Sequence, residues 1–380
     1  MIWTLGLVSL LMDTSSELIH SLLPLFLVTS LGASALALGA IEGIAEATAL
    51  CTKVFSGYLS DYFRRRKLLT GLGYALAALS KPLFALATSF AWVFAARLID
   101  RLGKGIREAP RDALIADVTP PAVQGAAYGL RQALDTVGAV AGPSLAIAAM
   151  LWLNGNFRST FWLASVPAFA AVVLLVVGVR EPVTAPAKEP SRRVALSDVS
   201  QLSTAYWWVV GFGAVMMLAR SSEAFLLLRA RSVGMTLAWI PLVMVLMSAV
   251  YALVAYPAGV LADRGRHRSL LQGGLLALLL ADVVLASAAS VTAVCIGTAL
   301  WGVHMGLTQG VLAARVAATA QETLRATAFG IFNLVSGAAL LVASLLAGWL
   351  WDAFGPAQTF FAGAAFTLLA ICALAADPSE

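Results

Sequence analysis

Ionisable side chains set inside long apolar runs are the residues of this chain best placed to do chemistry. Asp13, Glu17 and His20 occupy neighbouring turns of one run, and Glu42 and Glu46 repeat the i,i+4 spacing in the next. Further on come Arg97, Asp100, Arg101 and Lys104, then Arg131 and Asp135, then Arg220 and Glu223. A charge at membrane depth is costly, so such groups face a bundle interior or a wet cavity. Burial favours the neutral carboxyl and a nearby guanidinium favours the charged one. Glu17, Glu42 or Glu46 can therefore carry a proton, with Arg97, Arg101 or Arg131 switching its affinity. Structural ion pairing is the competing reading, strongest for Asp100 and Asp135, which have basic neighbours on their own helices. His20 with Glu17 and Glu42, and His304 with Met305, supply donor atoms for a transition metal, though neither histidine sits in a tight ligand motif.

The elements that must position these groups are spelled out by composition. Hydrophobic residues make up 60% of the chain and charged ones 12%, with a mean hydropathy of +0.88. Apolar stretches long enough for a helix to cross the hydrocarbon core recur along the whole chain, and the alternating pattern of a β-barrel is missing. The expectation is an all-α polytopic membrane protein with twelve transmembrane helices in two six-helix halves. The expected spans are 4–28, 37–59, 68–88, 89–110, 124–147 and 159–179, then 204–228, 237–260, 268–288, 290–313, 325–349 and 355–376. Residues 1–179 form the first half and 204–380 the second. Between them 180–203, with Pro182, Pro186 and Pro190 among Lys188, Glu189, Arg192 and Arg193, reads as a cytoplasmic linker.

Basic residues set the orientation. Arg64 to Lys67, Arg107, Arg111, Arg180, Lys188, Arg192, Arg193, Arg264, Arg266, Arg268, Arg315 and Arg325 share one side of this scheme, while Arg158, Arg229 and Arg231 fall on the other. The richer side is cytoplasmic by the positive-inside rule, which places both termini inside a bacterial cytoplasmic membrane. The basic pI follows from this topology and does not imply a nucleic-acid partner. Cys51, Cys295 and Cys372 lie in apolar surroundings without metal-ligand spacing.

The line Gly57-Tyr58-Leu59-Ser60-Asp61-Tyr62-Phe63-Arg64-Arg65-Arg66-Lys67 returns as Gly259-Val260-Leu261-Ala262-Asp263-Arg264-Gly265-Arg266. Ser15-Ser16-Glu17 is echoed by Ser221-Ser222-Glu223, and Ala127-Tyr128-Gly129 by Ala328-Phe329-Gly330. These echoes at nearly constant offset indicate two related halves. With the twelve spans and the central linker, the Gly-x-Leu-x-Asp loop resembles that of the major facilitator superfamily, over essentially the whole chain. Arg64 stands where a second glycine is common in that loop. The resemblance implies a secondary transporter whose halves rock about a central site. It also implies that Gly57, Asp61, Arg65 and Arg66, with Gly259, Asp263 and Arg264, brace one conformation. Gly129, Gly138, Gly142 and Pro143 look like the fifth-span signature of the family's antiporters, although Ala146 and Ile147 replace its closing glycines; a packing role is the alternative.

Three function classes are compatible with these features. The leading one is proton-coupled export of a small amphipathic or cationic molecule. The second is proton-linked uptake of a nutrient, metal ion or metal chelate, to which the basic fourth span would offer an anion contact. A channel or receptor is the third. Without a phosphate-cradling loop ending in Lys-Ser or Lys-Thr there is no sign of ATP-driven pumping, and no hydrolase-like constellation marks an enzyme. No cofactor is expected; the expected partners are the substrate, protons and lipid, with the chain monomeric.

Overall fold

The computed structural model describes residues 1–63, 65–120, 123–181, 199, 201–321 and 324–376, with the side chains of Asp61, Phe63 and Ala326 outside that set. Among these residues all regular structure is helical. Helices α1 (Ile2–His20), α2 (Leu23–Leu25), α3 (Ala35–Phe63), α4 (Arg66–Leu86), α5 (Phe90–Val118), α6 (Gln124–Trp152) and α7 (Phe157–Gly178) come first along the chain. Then follow α8 (Thr204–Ala219), α9 (Ala224–Ser232), α10 (Leu242–Asp263), α11 (His267–Ser287), α12 (Val291–Thr319), α13 (Arg325–Phe354) and α14 (Pro356–Ala375). Eleven helical segments are long and apolar enough to cross a bilayer. Helix α5 matches them in length but carries eight charged residues between Arg97 and Asp112, and it completes the twelve. A helix satisfies its own backbone polar groups, which is why these apolar runs adopt that form in lipid.

Two compact units emerge. The first is Met1–Gly32, Thr48–Arg193 and Leu237–Leu242; the second is Ala33–Ala47, Val194–Thr236 and Val243–Glu380. Within the first, α1 packs on α6 and α7, and α4 on α5 and α7. Within the second, α8 packs on α13 and α14, and α11 on α12 and α14. The same pairing scheme thus recurs, as the sequence echoes require. The expected linker 180–203 falls largely outside the described residues.

The seam between neighbouring helices is made by small residues, because lipid offers no hydrophobic gain for burying larger ones. A Cβ on Gly73 would stand 2.7 Å from the Gly103 carbonyl oxygen, and one on Gly103 2.7 Å from the Gly73 carbonyl oxygen. On Gly105 it would stand 2.7 Å from the Ala49 carbonyl oxygen. Other apolar side chains point outward, with Val177 79% and Leu253 76% exposed.

Several edges differ from expectation. Helix α5 continues past the expected end at residue 110 to Val118, and its Pro110 is accommodated within the helix. Arg107 and Arg111, read as marking the cytoplasmic side at and just past the end of the fourth span, are buried helix residues at 3% and 4% exposure. The seventh span is not one helix: α8 stops at Ala219, Arg220 takes an extended backbone, and α9 starts at Ala224. The first span is also interrupted, ending α1 at His20 and resuming through α2 and a π-helical turn over Phe26–Ser30.

Helix α3 is divided between the units, its first turns belonging to the second. There the Asp352 carboxylate of α13 accepts from the Ala35 and Leu36 backbone N–H groups at 3.0 and 2.8 Å. These are orphan donors at a helix start, and the negative charge suits the positive end of the dipole. Asp352→Ala is expected to lower stability by about 1 kcal/mol, read as a lower Tm of the purified chain. An unchanged Tm would reduce this cap to an incidental contact.

Candidate functional site

The ionisable groups fall into clusters within each unit. In the first, the Lys81 ammonium on α4 lies 2.6 Å from Asp100 Oδ1 and donates to Ser16 Oγ at 2.9 Å. Ser80 Oγ donates to the same carboxylate oxygen at 3.3 Å. Arg97 and Arg101 approach Asp100 Oδ2 at 3.8 and 3.6 Å. Three cationic side chains thus meet one carboxylate, and all four residues are at most 2% exposed. At such burial Coulomb attraction is strong, yet desolvation is costly, so the geometry of the whole set decides its worth.

A second cluster lies along α1, α5 and α6. Asp13 pairs with Arg107 at 3.6 Å, whose guanidinium sits 4.9 Å over the Tyr74 ring. The Tyr74 hydroxyl and Ser9 Oγ are 3.0 Å apart, and Arg111 Nη1 donates to Ser9 at 2.9 Å. Arg111 Nε donates to Asp112 at 3.2 Å. Arg131 bridges Asp112 at 3.7 Å and Asp135 at 2.9 Å. Polar side chains therefore link α1, α5 and α6 continuously, and Tyr74 of α4 joins them through Ser9 and Arg107. Beside it, Glu17 pairs with His20 at 3.4 Å and is acted on by the charges of Arg101 and Lys104.

In the second unit Arg220 occupies the break between α8 and α9, where Glu223, Glu46 and Tyr251 are its electrostatic neighbours. Glu42 is 1% exposed. His304 is also 1% exposed, and its Nδ1 lies 2.9 Å from the Gly274 carbonyl. Among the described residues no three His, Cys, Asp or Glu side chains converge on a metal position.

The loop copies differ in their surroundings. A Cβ on Gly57 would meet only Ala109 at 3.5 Å, an ordinary contact, and one on Gly259 would meet nothing. Arg66 pairs with Asp117 at 2.6 Å and donates to the Ala113 carbonyl at 2.9 Å, tying the start of α4 to the end of α5. Arg65, Asp263 and Arg264 are exposed. Gly265, at φ +78°, makes the left-handed turn that ends α10, as glycine does without strain. In the fifth-span signature, a Cβ on Gly138 would stand 2.8 Å from the Leu10 carbonyl oxygen, and on Gly142 2.6 Å from that of Thr14. Gly129 has open space. Gly138, Gly142 and Pro143 are buried, and the two glycines bring α6 against the stretch of α1 that carries Asp13 and Glu17.

Sequence reasoning brought Arg131 to Asp135 and Glu17 to His20 correctly. It gave Asp100 partners only on its own helix and missed Lys81, the nearest. A lysine inside the third apolar run, beside Ser80 and Pro82, was the available signal. It also missed Ser9, Tyr74 and the inward roles of Arg107 and Arg111, because a tyrosine or arginine near a span end looks interfacial.

The family model of the Major Facilitator Superfamily matches residues 5–228 and 223–380. An uncharacterized MFS-type transporter of Methanocaldococcus jannaschii is 31% identical over 374 residues, covering 97% of this chain and 92% of the relative. A multidrug resistance protein MdtH of Aeromonas hydrophila is 31% identical over 143 residues, which is 38% of this chain and 36% of that protein. Among solved structures, a peptide transporter POT in complex with sulfate superposes with a TM-score of 0.82 at 15% identity, covering 99% of this chain and 94% of that one. The whole-length family match, the all-helical fold and its repeated packing scheme agree: this chain is a multi-pass membrane transporter of the major facilitator superfamily, and not an enzyme.

Proposed function

We propose that the chain is a proton-coupled secondary transporter that exports a small amphipathic or cationic molecule by alternating access. The observation that carries this reading is the set of acids with basic neighbours beside an interrupted span: Glu17 with His20, Arg101 and Lys104, and Asp13 with Arg107. A carboxylate whose cation moves away in one conformation takes up a proton there and releases it in the other. The glycine approach of α6 to α1, and the local similarity to a multidrug resistance protein, support the export direction. Glu42 and Glu46 are further candidate proton carriers, and Arg97, Asp100, Arg131, Asp135 and Glu223 are candidate modulators or substrate contacts. The loop groups Gly57, Asp61, Arg65, Arg66, Gly259, Asp263 and Arg264 are proposed to bias the conformational equilibrium. The proposed working unit is a monomer in the cytoplasmic membrane with both termini inside. Its halves are 1–179 and 204–380, joined by 180–203.

A second reading, proton-linked uptake of a nutrient, metal ion or metal chelate, is favoured by one observation. Lys81, Arg97 and Arg101 gather around a single Asp100, a setting suited to an anionic substrate portion.

Reconstitution of the full chain in liposomes of known orientation, with a pH-sensitive dye inside, separates these readings. Organic cations, metal ions, chelates and organic anions are the probes. Proton and substrate moving oppositely is the expected result; movement together would favour uptake, and substrate flux without proton flux would remove proton coupling. At least one of Glu17→Gln, Glu42→Gln and Glu46→Gln is expected to abolish gradient-driven transport while leaving folded protein in the membrane. Full coupling in all three would sink their assignment.

A further inference from the structure

Asp282 lies on α11, in the second unit, and no mechanism above uses it. It is 1% exposed, and its Oδ2 has no hydrogen-bond partner. Among the described residues no ion pair or hydrogen bond reaches this side chain, unlike Asp100, which is equally buried but surrounded by cations. It lines a cavity of about 10 Å³ together with Ala219, Ser221, Thr359, Phe360 and Gly363, room for one water-sized sphere. A carboxylate buried this deeply must have its charge neutralised.

The walls show what kind of neutraliser fits. Ala219 is the last residue of α8, where backbone carbonyls run out of intrahelical donors and the dipole presents its negative end. A Cβ built on Gly363 would stand 2.8 Å from Asp282 Oδ2 and 3.1 Å from the Ala219 carbonyl oxygen. The two oxygens therefore lie no more than about 6 Å apart, with the absent glycine side chain leaving the space between them open. A hard cation of sodium or calcium size holds oxygen ligands at about 2.4 Å, so one such ion bridges the two oxygens once they approach to about 4.8 Å, inside that limit. The Ser221 and Thr359 hydroxyls, lining the same cavity, have lone pairs to offer, and Thr359 already directs its proton to the Ala347 carbonyl at 2.9 Å. One carboxylate among neutral oxygens balances a single positive charge, which selects a monovalent ion over calcium. Ends of broken transmembrane helices hold such ions well, because their free carbonyls replace water without added charge.

We propose that Asp282, the Ala219 carbonyl and the Ser221 and Thr359 hydroxyls form a binding site for one monovalent cation of sodium size, which fixes the break between α8 and α9. Gly363 keeps the site open.

The test is radioactive sodium binding to the purified full-length chain at mildly alkaline pH, without substrate or gradient, paired with Tm in sodium against choline. Saturable binding of one ion per chain is expected. At about a hundredfold excess over its Kd, sodium should raise Tm by about 3 °C or more, while choline does not. Asp282→Asn and, separately, Gly363→Ala are each expected to weaken binding by about tenfold or more. The second variant retains the carboxylate and fills only the gap, so it keeps the test meaningful where the first fails to fold. No saturable sodium binding by the folded chain would overturn the proposal and leave Asp282 as a protonated acid. Binding that survives both substitutions unchanged would overturn it equally. Neither result touches the liposome experiment, so failure here and failure of proton coupling are separately visible.

Discussion

Lys81→Met is expected to destabilise the protein by about 3–5 kcal/mol, because it strips the nearest counter-charge from a carboxylate that water cannot reach. Lys81 and Asp100 are 1% and 2% exposed and 2.6 Å apart. Asp100→Asn should cost a similar amount, since it leaves Lys81, Arg97 and Arg101 facing one another around a neutral amide. The double variant is expected to lose at least about 1 kcal/mol less than the sum of the two single losses. Thermal or denaturant unfolding of the purified chain in one detergent reads all four states. Strict additivity would mean that the two groups do not act as a pair, and the cluster would have to be redrawn around the arginines.

The second large effect is expected at the seam between α1 and α6. Gly142→Ala should cost about 1–3 kcal/mol, because the added methyl group lands 2.6 Å from the Thr14 carbonyl oxygen and 2.8 Å from Glu17 Cβ, and backbone cannot step aside as a flexible side chain does. Gly138→Ala should follow it, with Leu10 backbone and Asp13 Cβ in the way. Gly129→Ala, facing open space, is expected to stay within about 0.5 kcal/mol of the parent. The ranking is checked by unfolding all three variants side by side. Equal effects at Gly129 and Gly142 would contradict the close approach. Because Asp13 and Glu17 line the same stretch, transport by Gly142→Ala should suffer even in the fraction that folds.

What could be read from the sequence follows from how the membrane limits structure. A run of twenty apolar residues has one inexpensive conformation in lipid, so the helices and their repeat were legible before any coordinates. Their ends were not. Helix α5 continues to Val118 because Arg107 and Arg111 are buried by Asp13, Tyr74 and Ser9, partners distant in the chain that no local pattern announces. The seventh span breaks at Arg220, yet Thr204–Ser232 taken as a whole is still apolar and long enough to read as one span. Among the acids, in-helix pairs such as Arg131 with Asp135 were visible from spacing alone. Lys81 with Asp100 and the solitary Asp282 were not, since each depends on which helices become neighbours. The antiporter-like signature showed that close packing was needed on the fifth span; the structure adds that α1 is what packs there.

Helix α5 has a consequence for how the chain reaches its membrane. A charged residue at the centre of a helix disfavours insertion by about 2.5–3.5 kcal/mol, and α5 holds Arg97, Asp100, Arg101 and Lys104 within two turns. Taken one segment at a time by the insertion machinery, it lacks the apolar content to leave the aqueous channel for lipid. Its partners are Lys81 on α4, which has already been synthesised, and Ser9 and Asp13 on α1. The fourth span therefore enters the bilayer by joining helices made before it. Biogenesis of the first half is in this sense an assembly step, with α1 and α4 acting as the solvent that α5 needs.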